Sequence, residues 1–291
     1  MFYLVFIFGM IAGSFLNVLI HRLNPALQLK SGVFGRSMCP NCKTQLKWYD
    51  LIPLFSFIWL KRRCRHCGGK ISWQYPTVEI LSGLIWILVF SKNLDNFQFP
   101  ISNFQLLNIF YEIFIFSALL VIAVYDFKWK IIPDKIIYPA IVVALISNLF
   151  KSLNFETFKL LNLEVSKYLN FEILKYINIE TFIYPLLVAS IAFLFFFAIY
   201  YFSSGRAMGL GDAKLAFFIG LFLSPLPAAL AFALAFVIGA AFAIILIGLG
   251  KIRSDYRKWG MKSQIAFGPF LVLGAFIAFF FSDFIIKFLN F

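Results

Sequence analysis

Residues 106 to 125 read LLNIFYEIFIFSALLVIAVY, a run of 20 residues that is almost entirely apolar. A helix of this length rises about 30 Å, which matches the thickness of the hydrocarbon core of a bilayer. Comparable runs occupy 182 to 202 and 226 to 249. The stretch therefore predicts a transmembrane helix rather than a core helix of a soluble domain.

The composition of the whole chain agrees with a membrane protein. Hydrophobic residues make up 62% of the 291 residues and charged residues only 13%, whereas soluble domains average about half apolar and a quarter charged. We therefore predict an all-α polytopic membrane protein with about eight transmembrane helices, one of which is short enough to span only partly. The predicted spans are 2–20, 76–91, 106–125, 135–150, 182–202, the short 212–223, 226–249 and 264–288.

Lysine and arginine residues predict the orientation. If segment 21–75 is cytoplasmic, that side of the membrane holds 20 of the 26 basic residues. The positive-inside rule then places the N-terminus outside. The first helix has no basic region before it and no cleavage site after it, so we expect it to be retained rather than removed as a signal peptide. The net charge of +13 follows from this topology and from attraction to anionic membrane lipid, so no nucleic-acid partner is expected.

The chain is expected to contain one polar module. Residues 1–20 are the first transmembrane helix, 21–75 are a cytoplasmic module, and 76–291 are a transmembrane domain. Within that domain, 151–181 repeats an Asn-x-Glu pattern every eight residues, with a lysine in three of the repeats. Glutamate and lysine three apart on a helix, among apolar residues, predict an amphipathic insertion on the outer membrane surface. A tandem duplication without a role explains the repeat equally well.

Four cysteines form two C-x-x-C pairs, Cys39 with Cys42 and Cys64 with Cys67, which are separated by 21 residues. Such knuckles place four thiolates around a structural zinc ion, and a small module gains stability from the metal. The alternatives are two disulfides, which a reducing cytoplasm disfavours, and a redox pair, which would not need a duplicate. His66 lies within the second pair and is predicted to be a surface residue, since four sulfurs complete the shell.

Two aspartates at predicted helix ends are the candidate catalytic residues. Asp126 follows a helix whose negative dipole end makes a carboxylate a poor cap, which favours a functional role. Asp212 follows a Gly-Leu-Gly sequence and is either a helix cap or a functional group. Asp134 precedes an apolar run and is predicted to cap it. Glu79, near the inner end of the second span, either pairs with a basic residue or contacts a ligand.

The predicted topology brings Asp126 and Asp212 to the same side of the membrane. The 106–125 helix runs inward and the short helix runs outward, so both carboxylates reach the cytoplasmic interface. Two carboxylates that share one proton can hydrolyse a peptide bond, because the ionised one takes a proton from water while the protonated one donates to the scissile carbonyl. The pair therefore predicts an aspartic peptidase at the inner membrane surface.

Four ordered motifs between about residues 9 and 225 resemble the prepilin peptidases, the type IV leader peptidases of the GxGD intramembrane aspartic protease group. They are GSFLNV at 13–18 with Arg22 and Leu23; RSM at 36–38 and the two cysteine pairs, with WYDLIP at 48–53 between them; Asp126 with IPD at 132–134; and GLGDAKL at 209–215.

The resemblance implies cleavage of prepilins or pseudopilins at the cytoplasmic face of the bacterial inner membrane, after a glycine and before an apolar segment. It assigns catalysis to Asp126 and Asp212, in agreement with the topology. For many members it also implies N-methylation of the new N-terminal residue with S-adenosylmethionine. The residues themselves do not support this second activity, because 21–75 is short and the chain has no GxGxxG fingerprint.

Two other interpretations stay open. One is a peptidase without methyltransferase activity, against which the cysteine module counts, because the resemblance associates that module with bifunctional members. The other is a non-enzymatic transporter or scaffold whose aspartates bind a cation, although transport sites usually lie near the bilayer midplane. The sequence identifies neither the substrate pilin, nor the residues that bind S-adenosylmethionine, nor the oligomeric state.

Overall fold

The computed structural model describes residues 1–23, 36–94, 103–152, 179–252 and 265–289. These segments form helices joined by short connections, and the only extended pairing among them is two isolated bridges. The elements are α1 (Phe2–Arg22), a 3-10 turn (Trp48–Leu51), α2 (Phe55–Trp59), α3 (Gln74–Leu94), α4 (Asn103–Trp129), α5 (Asp134–Ser152), α6 (Ile179–Phe202), α7 (Leu210–Phe222), α8 (Pro225–Ile252) and α9 (Gly268–Leu289).

The helices confirm the predicted all-α membrane class. Within the described segments, α1, α3, α4, α5, α6 and α8 are long and apolar enough to cross a bilayer. Each of the eight predicted spans corresponds to a helix, but α7 has only 13 residues, whereas α9 has 22. The predicted amphipathic insertion at 151–181 lies almost entirely outside the described residues.

The chain divides into two compact units, Met1–Val124 and Tyr125–Phe291. In the first unit α1 packs along α3 through glycines. A Cβ placed on Gly9 would lie 2.8 Å from the Cα of Gly83, and one placed on Gly13 would lie 2.8 Å from the Cα of Glu79. Small residues let membrane helices approach this closely, which compensates for the absence of a hydrophobic driving force between helices in lipid.

The short helix α7 lies in the interior of the second unit. Its Leu215, Phe218 and Ile219 are at most 1% exposed, and Gly220 packs so closely that an added Cβ would lie 2.7 Å from the Cα of Ala189 on α6. Because most of its residues from Asp212 to Leu221 are buried among the neighbouring helices, a helix too short to span the bilayer is tolerated. The neighbouring helices α8 and α9 approach through Gly274, where a Cβ would meet the carbonyl oxygen of Ala231.

We predict that Gly13→Ala lowers the apparent Tm of the purified protein in detergent. The added Cβ would force α1 and α3 apart, and overpacking of this kind costs about 1–3 kcal/mol. Gly248→Ala is the matched control, because a Cβ at Gly248 meets nothing within 4 Å. Equal Tm values for the two variants would show that the close approach of α1 and α3 does not stabilise the protein.

Candidate active site and metal centre

Asp126 lies in the last turn of α4, which ends in a left-handed residue, Lys130, at φ +56°. The side chain is buried, with 4% exposure. Its Oδ2 accepts the backbone N–H of Gly268 at 3.0 Å. Gly268 is the first residue of α9, where N–H groups have no partner within the helix and the dipole is positive. A second helix therefore provides the favourable contact that the C-terminal end of α4 does not.

Asp212 lies in the first turn of α7 and is 8% exposed. It was expected either to cap this helix or to act in catalysis. The capping position itself belongs to Gly209, whose N–H donates to Asp212 Oδ2 at 3.1 Å. Asp212 is thus the third helical residue, which reaches back to the start of the helix. One oxygen is used in this contact, and the carboxylate keeps further acceptor positions for chemistry.

The two aspartates lie within the same unit and close enough for their carboxyl groups to interact electrostatically. Close packing at Gly211 contributes to this proximity, since a Cβ there would lie 3.1 Å from the Cβ of Ile132 in the turn after α4. The absence of a side chain at Gly211 therefore lets α7 pack against that turn. The arrangement places two buried carboxyl groups together, each held by one backbone N–H.

Gly268 is a site residue that sequence reasoning missed. A Cβ at this position would lie 2.7 Å from Asp126 Oδ2, so a larger residue would displace the carboxylate. The preceding Phe267 packs against Phe196, Phe236 and Phe270, with ring centroids 5.2–6.3 Å apart. This aromatic cluster fixes the start of α9 and with it the amide that holds Asp126. The Phe-Gly-Pro sequence was the available signal, as a helix start beginning with glycine and proline.

Asp134 has an ionic partner in addition to its position in the first turn of α5. Its Oδ1 accepts from Lys214 Nζ at 2.7 Å, and the aspartate side chain is 58% exposed. The ion pair joins α5 to α7, and Lys214 lies two residues after Asp212 on α7. An exposed pair of this kind contributes roughly 0–1 kcal/mol. Asp134 therefore lies at the edge of the site and is not buried with the two candidate catalytic residues.

The four cysteines converge in the first unit as the spacing predicted. Cys39, Cys42, Cys64 and Cys67 place their sulfur atoms within 4.8 Å of one another and form no disulfide. The separation of the Cys39 and Cys67 sulfurs is 3.9 Å. Zn–S bonds of about 2.3 Å in a tetrahedron require sulfur atoms roughly 3.8 Å apart. The cluster therefore has the donor set and the dimensions to hold a metal ion.

Hydrogen bonds around the cluster favour thiolates. The side chain and backbone of Thr44 lower the pKa of the Cys42 thiol to about 6, and the backbone N–H groups of Cys67 and His66 lower that of Cys64. Although the Gly69 N–H favours its thiolate, desolvation and the neighbouring sulfurs raise the pKa of Cys67 to about 11. Four adjacent sulfurs cannot all ionise without a cation among them. His66 is exposed and is not among the clustered ligands, as expected.

Two buried glutamates lie in the first unit. Glu79, for which a basic partner or a ligand was considered, accepts the backbone N–H of Leu54 at 2.9 Å and a hydrogen bond from Ser14. Glu112 was missed, although it is a carboxylate inside the 106–125 run. It accepts from Asn93 Nδ2 at 2.9 Å and from Asn108 Nδ2 at 3.0 Å. These contacts satisfy charged groups at membrane depth and are structural.

Comparisons with known proteins match the chain in two parts. Residues 7–93 match the family described as Bacterial Peptidase A24 N-terminal domain, and residues 113–244 match the Type IV leader peptidase family. No solved structure matches the chain.

The similar relatives include three proteins named prepilin leader peptidase/N-methyltransferase. The one from Vibrio cholerae is 37% identical over 145 residues, which is 48% of this chain and 53% of the relative. The one from Klebsiella pneumoniae is 34% identical over 148 residues, which is 50% of this chain and 60% of the relative. The one from Bacillus subtilis is 27% identical over 285 residues, covering 98% and 96%.

In the two more identical alignments, the chain spans little more than half the length of the relatives, whereas the Bacillus subtilis alignment is nearly complete at lower identity. The two family matches follow one another along the chain, the first over the cysteine cluster and the second over both buried aspartates. On these matches, the chain belongs to the type IV leader peptidase family.

Proposed function

We propose that this protein is a membrane aspartic endopeptidase that removes the leader peptide from prepilins or pseudopilins. The observation that carries the proposal is the pair of buried, interacting carboxyl groups of Asp126 and Asp212 in a chain of the type IV leader peptidase family. The names of the similar relatives support the same substrate class. The family resemblance places cleavage after a glycine and before an apolar segment.

The proposed mechanism uses one ionised and one protonated aspartate. The ionised carboxylate removes a proton from a water molecule, which attacks the scissile carbonyl carbon, while the protonated carboxyl donates to the carbonyl oxygen. Two close carboxyl groups in a buried site share a proton readily, because a second negative charge beside the first is costly. The N–H groups of Gly268 and Gly209 hold one oxygen of Asp126 and of Asp212, respectively, and leave the others for water and substrate.

A second activity is proposed from the relatives' names, which include N-methyltransferase. S-adenosylmethionine would supply an electrophilic methyl group to the new N-terminal amine of the product. Glu79, a buried carboxylate that contacts the module, accepts the Leu54 N–H and the Ser14 hydrogen bond. It therefore fits a structural role rather than a site for the cationic sulfonium. The residues that bind this cofactor are not assigned.

We also propose that the four-cysteine cluster holds structural zinc and that the active site faces the cytoplasm. The sulfur spacing supports the first point, and the excess of lysine and arginine on one side of the predicted topology supports the second. In this arrangement 21–75 is a cytoplasmic module of an inner-membrane protein, and 76–291 is the peptidase domain with the insertion 151–181 outside. Membrane lipid surrounds the spanning helices.

The test is incubation of the full chain in detergent with a purified prepilin and S-adenosylmethionine, followed by mass measurement of the product. We expect loss of the leader and a gain of one methyl group. Cleavage without the added methyl group would support the peptidase activity only. An intact substrate would favour the transporter interpretation instead.

Asp126→Asn and Asp212→Asn are each expected to reduce cleavage by at least about 10²–10⁴-fold, since a proton donor or acceptor is lost. The rate of leader release is measured with the same prepilin. Asp134→Asn is the matched control, because its carboxylate is exposed and pairs with Lys214, and it should retain most activity. Near-normal cleavage by either buried variant would exclude the dyad.

Gly268→Ala is expected to lower kcat by up to about 10²-fold with little change in KM, because the added Cβ displaces the Asp126 carboxylate and not the substrate. Gly248→Ala, where a Cβ meets nothing, should match the wild type. A rise in KM with unchanged kcat would contradict the positioning role.

Purified protein is expected to contain one zinc per chain, measured by elemental analysis. Cys39→Ser and Cys64→Ser should lose it, since each removes one of four ligands, and a chelator should lower the Tm of the wild type but not of these variants. His66→Ala is the control and should keep its zinc. Zinc-free wild-type protein that is as stable as the zinc-loaded form would contradict a structural metal.

A further inference from the structure

An apolar surface is exposed on the module between its two cysteine pairs. It consists of Trp48, Phe55, Ile58 and Trp59, whose side chains are 77%, 58%, 72% and 70% exposed, and we name it the apolar face. The rings of Phe55 and Trp59 stack at a centroid distance of 5.7 Å. Exposed clusters of large apolar side chains mark contacts with a protein or a membrane. The module is thus less polar than its expected role as a soluble appendage requires.

The segment that carries this face contacts α1 about two turns before the helix ends. Ser14 Oγ lies 3.5 Å from the carbonyl oxygen of Leu51, and the N–H of Leu54 donates to Glu79 at 2.9 Å. Ser14 precedes Arg22, the last residue of α1, by eight residues, or about 12 Å of helix rise. Because α1 is only just long enough to cross a ~30 Å hydrocarbon core, the backbone at 51–54 lies beside the membrane-spanning part of α1 and not beyond its end.

A groove of about 420 Å³ separates α1 from the same segment. Its lining is apolar apart from Ser14, and it opens along a helix that is itself long and apolar enough to span a bilayer. Such a groove can accept a lipid acyl chain without leaving a polar group unsatisfied. The main lining residues are Ile7, Met10 and Ile11 on α1 and Leu51, Ile52 and Pro53 opposite.

The charges around the apolar face fit an anionic lipid surface. Lys47 directly precedes Trp48, and Lys61 and Arg62 directly follow α2 and its last turn, and all three are exposed. The one acidic residue of 48–59, Asp50, pairs with Arg65 at 3.0 Å and its side chain is only 3% exposed. Aromatic and apolar side chains bordered by exposed cations are typical of segments that lie in the interface between headgroups and acyl chains.

We propose that residues 48–59 insert into the membrane leaflet in which α1 ends. The apolar face contacts acyl chains, while Lys47, Lys61 and Arg62 contact anionic headgroups. Glu79 holds the irregular backbone at 51–54 by accepting the Leu54 N–H, a contact of the kind that irregular backbone in a membrane requires. The module is then anchored to the bilayer at its centre as well as through α1 and α3. The proposal does not depend on the proposed peptidase activity.

The experiment places the photoreactive residue p-benzoylphenylalanine at Ile58 of the full chain. The protein is reconstituted in nanodiscs of phosphatidylethanolamine and phosphatidylglycerol, irradiated, and digested for mass spectrometry. We expect lipid adducts on the peptide that contains residue 58, several-fold more abundant than at the control position Gln45, which is exposed beside the first cysteine pair. Zinc content equal to that of the wild type verifies that each variant is folded.

Other products overturn the proposal. A crosslink to another segment of the chain would mean that protein covers the face, and adducts formed only with added prepilin would make it a substrate site. Lipid adducts no more abundant at Ile58 than at Gln45 would place the face in water. The headgroup contact is tested with Lys47→Gln/Lys61→Gln, which should lower adduct yield in phosphatidylglycerol nanodiscs to the level of phosphatidylcholine nanodiscs. Lipid adduct yields that do not depend on lipid charge would overturn the proposed contact between the basic residues and anionic headgroups.

Discussion

The hydrogen bond from the Gly268 N–H to Asp126 joins residues 142 apart in sequence and constrains much of the second unit. A carboxylate buried at the C-terminal end of α4 faces the negative end of that helix and needs a compensating donor. The start of α9 supplies it, and the residue there must be glycine for the carboxylate to fit. The phenylalanines that pack around Phe267 then keep this helix start in place. Burial of one charge thus fixes the start of α9 against the residue that carries it, Asp126, within the second unit.

The same requirement organises the first unit. Glu79 is satisfied by the Leu54 N–H, and Glu112 by two asparagine side chains. A polar group in hydrocarbon has no water to replace a missing partner, so each buried carboxylate fixes the segments that serve it. Glycines at Gly9 and Gly13 provide the close packing that brings α1 to α3, where one of these contacts forms. The hydrogen bonds to the buried carboxylates and the close packing of helices at glycines therefore stabilise the first unit together.

The helices and the cysteine cluster could be predicted from the sequence because their signals are local. An apolar run about as long as the bilayer is thick specifies a span, and two C-x-x-C pairs specify four converging sulfurs. Asp126 and Asp212 were predicted as candidate catalytic residues because placing charge at membrane depth is costly, and the structure buries both. Phe-Gly-Pro signals only the helix start at Gly268, and its contact with Asp126 could not be predicted because the two residues are 142 apart in sequence. The position of Asp212 as the third helical residue was not predicted, because α7 begins at Leu210, two residues before the predicted start, and sequence patterns do not resolve such a difference.

The sequence shows that residues 48–59 are mostly apolar. The prediction nevertheless treated 21–75 as one polar module, because basic residues on either side of 48–59 dominate the composition of the module. The depth of this segment depends on Ser14 and Glu79, which are remote in sequence, so only the tertiary contacts reveal it.

The two cysteine pairs repeat one local geometry. In each, the first cysteine receives a backbone hydrogen bond from the residue four positions on, and donates one to the residue five positions on. The apolar segment begins and ends between these two equivalent turns, so the cluster closes a loop at its base. Closing a loop removes conformational freedom from everything inside it. A metal ion bound by the four cysteines would therefore restrict the conformations of residues 48–59 without contacting them.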